Sequence, residues 1–229
     1  LNPHSAANQY WWDIDAERYH REHARYLEGF HWSPEMLTEQ ELQLLGEING
    51  RYLELGCGSA PCGGWVRNQG GEVIGIDISM EMLRRADIPR VHGDALSLPF
   101  RDQAFDTTFS VFGAIPFVED LPSLFAEVRR VTRGKFIYSV THPMRWIFPD
   151  DPECLEACIP YFEHAYIEGT TYAEFQHTIG DHVRGLVSAG FRLEDVIEPE
   201  WPEDLHDTWG QWSPKRGKIF PGTAIFVAS

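Results

Sequence analysis

Arg51-Tyr-Leu-Glu-Leu-Gly-Cys-Gly-Ser-Ala-Pro61 decides the fold. Its first five residues read as a strand. Gly56-x-Gly58 then turns the chain, and Pro61 suits the first position of a helix expected over 61–68. Strand, glycine turn and helix open a parallel α/β unit. The glycines let the backbone turn tightly and let a ligand approach the amides, and the helix N-terminus adds a partial positive field.

Working outward, the alternation continues. A strand over 72–76 ends at Asp77, and Ser79 caps a short helix over 80–85. A brief strand at 90–92 leads to Gly93-Asp94-Ala95. Strands over 104–111 and 135–140 flank a helix over 121–131. A helix over 179–189 and strands over 192–197 and 223–227 complete the chain. This order predicts an α/β fold: a Rossmann-like, doubly wound seven-stranded sheet with an antiparallel last strand.

Upstream, Trp11, Trp12, Ala16, Tyr19, His23 and Tyr26 recur at three- and four-residue steps, which predicts a helix over 8–28. Thr38 and Glu41 form a capping box ahead of Leu42, Leu44 and Leu45, with Gly46 as the stop. Residues 1–50 are read as an N-terminal helical lid on a domain spanning 51–229. The Pro- and aromatic-rich stretch 143–176 is read as an irregular insertion or second lid, within a single domain overall.

The 229 residues carry 19 Lys+Arg against 35 Asp+Glu, a net charge of −16. Phosphate backbones and anionic lipids require basic stripes, and none is present, so nucleic acid and membrane are excluded as expected partners. The charge favours a small or neutral ligand. Four cysteines are too few for a disulfide scaffold at this length. Their spacings, Cys57-x4-Cys62 and Cys154-x3-Cys158, lack a supporting His pair, so no metal site is expected. No apolar run reaches the ~18 residues that span a membrane. No signal peptide opens the chain, so the cytoplasm is the expected location, and the start at Leu1 implies missing first native residues.

Asp77, closing the second strand, is placed to accept both hydroxyls of a ribose. Two nucleoside ligands compete for the turn. A nicotinamide dinucleotide expects a third glycine where Pro61 stands, and Glu54 would repel its pyrophosphate. A cationic ammonium or sulfonium would be attracted by Glu54.

Leu53-Glu-Leu-Gly-Cys-Gly-Ser-Ala60, Ile74-Gly-Ile-Asp-Ile-Ser79, Gly93-Asp94-Ala95, Leu98-Pro-Phe100 and Phe105-Asp106 together resemble the class I S-adenosylmethionine-dependent methyltransferases. The likeness spans about residues 50–140. The ends are similar to uncharacterised actinobacterial members: Trp11-Trp12-Asp13, Ser139-Val-Thr-His142-Pro143 and Glu198-Pro-Glu-Trp201. The resemblance implies S-adenosylmethionine as cofactor and methyl transfer to a small-molecule acceptor. It implies that Gly56, Cys57 and Gly58 pass under the methionine part, with Glu54 near its ammonium. Asp77 would hold the ribose, Ile78 would cover one adenine face, and Asp94 and Ala95 would meet the adenine edge. Ser110, Val111 and Phe112 would line the sulfonium, and Tyr19 would close over the methionine carboxylate. Ala60 replaces the family's third glycine, the segment from Asp77 to Asp94 is short, and Val131-Thr-Arg-Gly134 lacks the usual Pro-Gly-Gly turn.

Methyl transfer mainly requires alignment, and a general base only if the acceptor must lose a proton early. His142, after the fifth strand at the carboxyl edge, is the foremost candidate base, ahead of His31 and Tyr19. Its alternative is a loop histidine bonded to backbone. Arg145 and Trp146 either face the acceptor, with Arg145 suiting a carboxylate, or lie at the surface. Trp201 is expected in the core, while Glu203, Asp204, His206, Asp207, Trp209 and Trp212 stay open between an acceptor wall and the core under the final hairpin. Two other functions stay open: a non-catalytic S-adenosylmethionine or S-adenosylhomocysteine sensor, and a nicotinamide dehydrogenase.

Overall fold

The computed structural model describes residues 1–229. Seven strands form the main sheet: β1 (Arg51–Leu55), β2 (Glu72–Asp77), β3 (Arg90–His92), β4 (Phe105–Val111), β5 (Thr132–Thr141), β8 (Leu193–Ile197) and β9 (Thr223–Ala228). Their order is β3-β2-β1-β4-β5-β9-β8. The first five are parallel. β9 runs antiparallel between β5 and β8, pairing Ile137 with Val227 and Val196 with Phe226. The chain winds outward from β1 to β3 and then restarts beside β1 at β4. That reversal opens a crevice at the carboxyl ends of β1 and β4, where open α/β sheets bind ligands.

Both faces of the sheet are covered, as parallel sheets require. Helix α5 (Leu121–Val131) buries Leu121, Leu124, Phe125 and Val128, one helical stripe, against Phe136 and Tyr138. Helix α6 (Ile179–Ser188) packs beside it through Leu186. On the opposite face, α3 (Pro61–Asn68) lays Val66 over Tyr52 and Val73, and the loop before β1 inserts Phe30 and Trp32. The Trp32 indole donates to Glu39 Oε2 at 2.8 Å, and Glu39 also accepts from the Leu44 and Leu45 amides. These bonds satisfy a carboxylate that burial would otherwise penalise.

Several boundaries differ from the sequence reading. Helix α1 runs from Pro3 to Glu22, because Asn2 caps it through the Ser5 amide at 2.7 Å. The first turn carries no apolar stripe, which hides it from periodicity. Tyr26 lies in a separate 3-10 turn. Helix α2 (Glu39–Leu42) stops at Gln43, itself left-handed, rather than at Gly46. Helix α4 is shorter than expected, Met80–Leu83. The stretch 143–176 is not wholly irregular. It holds a 3-10 turn over Pro143–Ile147 and the hairpin β6 (Ala165–Glu168) and β7 (Tyr172–Phe175). A short helix α7 (Pro214–Gly217) precedes β9.

Candidate functional site

At the crevice lies a cavity with about 1030 Å³ of atom-free space, part of it open solvent. Four chain reversals converge on it: Gly56–Ser59 after β1, Asp77-Ile78 after β2, Gly93–Ala95 after β3 and Val111–Ala114 after β4. Trp12 and Tyr19 of α1 and Tyr26 beyond it complete the lining.

The glycines are there for backbone contact. Gly56 has φ +65°, and a Cβ on it would sit 2.2 Å from the Ala114 nitrogen. A Cβ on Gly113 would sit 2.5 Å from the Gly56 carbonyl oxygen. The two turns therefore cross main chain to main chain. Ala60, in the third glycine position, keeps the left-handed conformation at φ +56°, at a cost of about 1 kcal/mol.

Carboxylates organise the turns. Asp77 accepts from the Gly58 amide at 2.7 Å and the Ser79 amide at 2.8 Å, one on each oxygen. A carboxylate has about four acceptor sites, so each oxygen keeps one for a ligand. Burial raises the Asp77 pKa, and the amide bonds oppose it. Glu54 lines the cavity and accepts from the Gly63 amide at 2.8 Å. Burial pushes its pKa to about 8, with Asp77 adding to the shift. Asp94 accepts from the Leu96 amide at 3.0 Å, and buried Ala95 lies beside it.

Helix α1 is tied down on both sides. Asp13 Oδ1 accepts from Ser79 Oγ at 2.6 Å and from the Glu81 amide at 3.1 Å. Asn8 Oδ1 accepts from the Ala173 amide at 2.9 Å, which fixes α1 to the β6–β7 hairpin. The Trp12 ring packs edge-on to Phe117 at 5.5 Å and to Tyr19 at 5.6 Å. The buried Tyr26 hydroxyl has no hydrogen-bond partner. Burial raises both tyrosine pKa values, so both hydroxyls keep their protons.

Of the residues singled out in the sequence, Tyr19, Glu54, Gly56, Cys57, Gly58, Asp77, Ile78, Asp94, Ala95, Val111 and Phe112 line this one cavity. Two are placed elsewhere. Ser110 is fully buried, and its hydroxyl donates to the Leu55 carbonyl at 2.7 Å, bracing β1 against β4. Strand alternation turns it away while Val111 faces the cavity. His142 is also absent from the lining. Its Nδ1 accepts from the Met144 amide at 3.1 Å, which leaves the proton on Nε2, donated to Glu198 at 2.8 Å. With both ring nitrogens engaged, the geometry is that of a loop histidine bonded locally. His31 is likewise held, by the Tyr26 carbonyl at 2.9 Å.

The sequence reading gave no site role to Trp12, Tyr26, Met82, Gly113 or Phe117, all of them in the lining. Gly113, two residues past the end of β4, is the one with a readable signal. In the tail, Glu203, Asp204, His206 and Asp207 are exposed, and Asp207 pairs with Arg25. Trp201 is half-buried rather than core, donating to the Leu205 carbonyl and shielding Gly217. Trp212 is buried against Phe112, ring to ring at 5.5 Å. Phe112 holds this pose with φ +51°, a conformation rare for a bulky residue. No group of three or more His, Cys, Asp or Glu side chains is placed to hold a metal, and no helix is long and apolar enough to cross a membrane.

A family described as a methyltransferase domain matches residues 53–137. Malonyl-[acyl-carrier protein] O-methyltransferase of Hamiltonella defensa is 36% identical over 99 residues, covering 41% of this chain and 38% of that protein. Demethylmenaquinone methyltransferase of Mycobacterium sp. (strain KMS) is 37% identical over 86 residues, covering 36% of this chain and 37% of that protein. The chain thus spans less than two-fifths of the length of these curated relatives. Among solved structures, an S-adenosylmethionine dependent methyltransferase from Mesorhizobium loti aligns with a TM-score of 0.65 at 23% identity, over 83% of this chain and 97% of that one. The 1,6-didemethyltoxoflavin-N1-methyltransferase of Burkholderia thailandensis aligns at 0.62 and 17% identity, over 100% and 90%. At these identities the structural matches speak for the fold. A methyltransferase-domain family thus matches residues 53–137, and the strand order and fold are those of solved S-adenosylmethionine-dependent methyltransferases.

Proposed function

We propose that the chain is an S-adenosylmethionine-dependent methyltransferase acting on a small-molecule acceptor. The observation that carries this reading is the convergence of four strand-end turns on one cavity, with an acid at the end of β2 and a second after β3.

The residues present fit the cofactor on three counts. The Gly56–Gly58 cradle brings bare main chain to the cavity, where added Cβ atoms would collide or strain the turn. The Tyr26 hydroxyl is a buried donor without a partner. Glu54 is a buried acid whose pKa burial raises, and a nearby cation would lower it again. Gly56–Gly58 and Glu54 would hold the amino-acid part, Asp77 the ribose, and Ile78, Asp94 and Ala95 the base. When bound, the sulfonium supplies an activated methyl group for in-line displacement.

What remains for the chain is positioning. Val111 and Phe112 border the cavity at the end of β4, and the strained Phe112 backbone aims its ring at Trp212. Trp12 and Phe117 close the lid side and exclude water. The acids lining the cavity, Glu54, Asp77 and Asp94, are taken up by the cofactor roles above, which leaves no lining carboxylate or imidazole as a base for the acceptor. Acceptors that lose their proton late, or that are nucleophilic as they stand, suit such a site. The acidic surface, and relatives named for demethylmenaquinone and 1,6-didemethyltoxoflavin, support a small organic acceptor.

Isothermal calorimetry with S-adenosylhomocysteine tests the reading. Wild type should bind, and Asp77→Ala should bind about a hundredfold more weakly, for loss of charged hydrogen bonds worth about 3 kcal/mol. Absence of binding by wild type, or equal binding by the variant, would overturn it.

A further inference from the structure

Two arginines are buried in the segments that follow β5, and the fold treats them differently. Arg216 is fully engaged. Its Nε donates to the Cys154 carbonyl at 3.1 Å, Nη1 to Gln211 Oε1 at 3.2 Å, and Nη2 to the Pro149 and Asp151 carbonyls at 2.8 and 2.5 Å. Arg145 has no such set. It keeps only 9% of its surface, and its Nε is sealed without a partner. It forms no ion pair with Glu174 or Asp150, the carboxylates whose charge favours its cationic form. Burial lowers its pKa to about 10, so it stays charged at neutral pH.

What the Arg145 guanidinium does face is aromatic. Its central carbon lies 4.2 Å from the Trp212 ring centroid and 5.8 Å from that of Trp146. Trp212 is itself fixed: its indole donates to Thr223 Oγ1 at 3.2 Å, and that hydroxyl donates to buried Glu35 at 2.7 Å. Trp212 in turn packs on Phe112, which lines the cavity. Arg145 thus stands one aromatic side chain beyond the cavity wall.

A buried cation without a bonded counter-charge is a large cost to a fold, and an anionic ligand that completes it would offset that cost. We propose that Arg145 is the specificity-determining contact for the acceptor, and that the acceptor is a flat organic monoacid. Its carboxylate takes the planar fork of the guanidinium, and its conjugated body lies along Trp212 and Phe112. A carboxylate matches that fork with two parallel bonds. A dianion such as a phosphate would be repelled more strongly by Glu174 and Asp150. The word acceptor rests on the methyltransferase reading above, whereas the preference for an acid does not.

Tryptophan fluorescence and thermal shift test this, with benzoate and indole-3-carboxylate as probes, their primary amides as controls, and wild type, Arg145→Lys and Arg145→Met as proteins. Both acids should quench wild type saturably and raise its melting temperature, with the amides about tenfold weaker. Arg145→Met should lose the preference for acids, and Arg145→Lys should weaken it about fivefold, lacking the planar fork. Arg145→Met alone should melt no lower than wild type, because the loss of its ring contacts is offset by the removal of a buried, unbonded charge. Acids that bind Arg145→Met as tightly as wild type would overturn the proposal. So would wild type without preference for either acid over its amide, or a melting temperature of Arg145→Met several degrees below wild type. Failure of wild type to bind S-adenosylhomocysteine would instead strike the methyltransferase reading and leave the acid preference standing.

Discussion

The two flanks of the crevice are built by different means. On the β1–β2 flank, recognition is carried by main chain and by acids that brace it: Gly58 to Asp77, 19 residues apart, and Gly63 to Glu54, 9 apart. On the β4–β5 flank it is carried by side chains from distant segments, where Thr223 reaches Glu35 across 188 residues and Asn8 reaches Ala173 across 165. A flank made of backbone tolerates side-chain change but not an added Cβ. A flank made of side chains can change its ligand while the sheet stays as it is. The difference separates a cradle fixed by the main chain from a wall that side-chain change can reshape.

The first way to break the comparison is to test whether Glu54 belongs to the ligand or to the fold. Its pKa of about 8 lies above the ordinary carboxylate value, so the folded state binds its proton more tightly than the unfolded state. Its stabilising contribution is therefore full below about pH 4.5 and is lost as pH rises to about 8. Glu54→Gln mimics the protonated form and should lack that loss. At pH 8.5 the variant should be more stable than wild type by on the order of 4 kcal/mol, with the two converging near pH 4.5. Urea unfolding across that range measures it, and parallel pH profiles would refute it. If Glu54 also meets a cation, S-adenosylhomocysteine should release nearly one proton from wild type at pH 7 and fewer from Glu54→Gln. Calorimetry in buffers of different ionisation enthalpy counts those protons.

Gly56→Ala sharpens the backbone half. The new Cβ would meet the Ala114 nitrogen at 2.2 Å from a φ of +65°, and neither turn has a side chain that can yield. A loss of about 3 kcal/mol in stability is expected. Gly64→Ala, with nothing within 4 Å, should be neutral or slightly stabilising through helix propensity. Equal melting temperatures for the two variants would show that the turns do not need to cross so closely.

The buried arginines sharpen the side-chain half. Arg216→Met removes four hydrogen bonds and strands carbonyls of residues 149–154, so a loss of about 2 kcal/mol is expected. Arg145→Met removes none. A double-mutant comparison by urea unfolding would erase the distinction if both arginines cost the same.

The same asymmetry governed what was legible in the sequence. Gly56, Gly58, Asp77 and Asp94 were readable because each lies at a strand end, and a parallel sheet gathers strand ends at one edge. The doubly wound sheet followed from the same alternation. His142 lies at that edge too, yet its imidazole turns to Met144 and Glu198, a rotamer choice that no spacing encodes. Ser110 and Val111 are neighbours, and the pleat sends them to opposite sides. Arg145, Trp212 and Glu35 meet only because β5 and β9 pair antiparallel, and nothing local to any of the three announces the others.

The smallest expected effect lies at the seam between the flanks, where α1 covers the cavity. Asp13 makes two bonds there, to Ser79 Oγ and the Glu81 amide, and its charge also disfavours ionisation of Asp77. Asp13→Ala removes both influences, and they oppose each other. Losing the bonds should loosen the lid by about 1 kcal/mol, while losing the charge should lower the Asp77 pKa and help it accept from a ligand. Asp13→Asn separates the two, since its amide oxygen keeps the bonds and drops the charge. Hydrogen exchange over residues 8–20 should quicken about fivefold in Asp13→Ala and hardly at all in Asp13→Asn. S-adenosylhomocysteine should leave Asp13→Ala faster than wild type, and bind Asp13→Asn at least as tightly as wild type, because burial and the Asp13 charge both disfavour ionisation of Asp77. Exchange that quickens equally in both variants would mean that charge, not hydrogen bonding, holds α1 over the cavity.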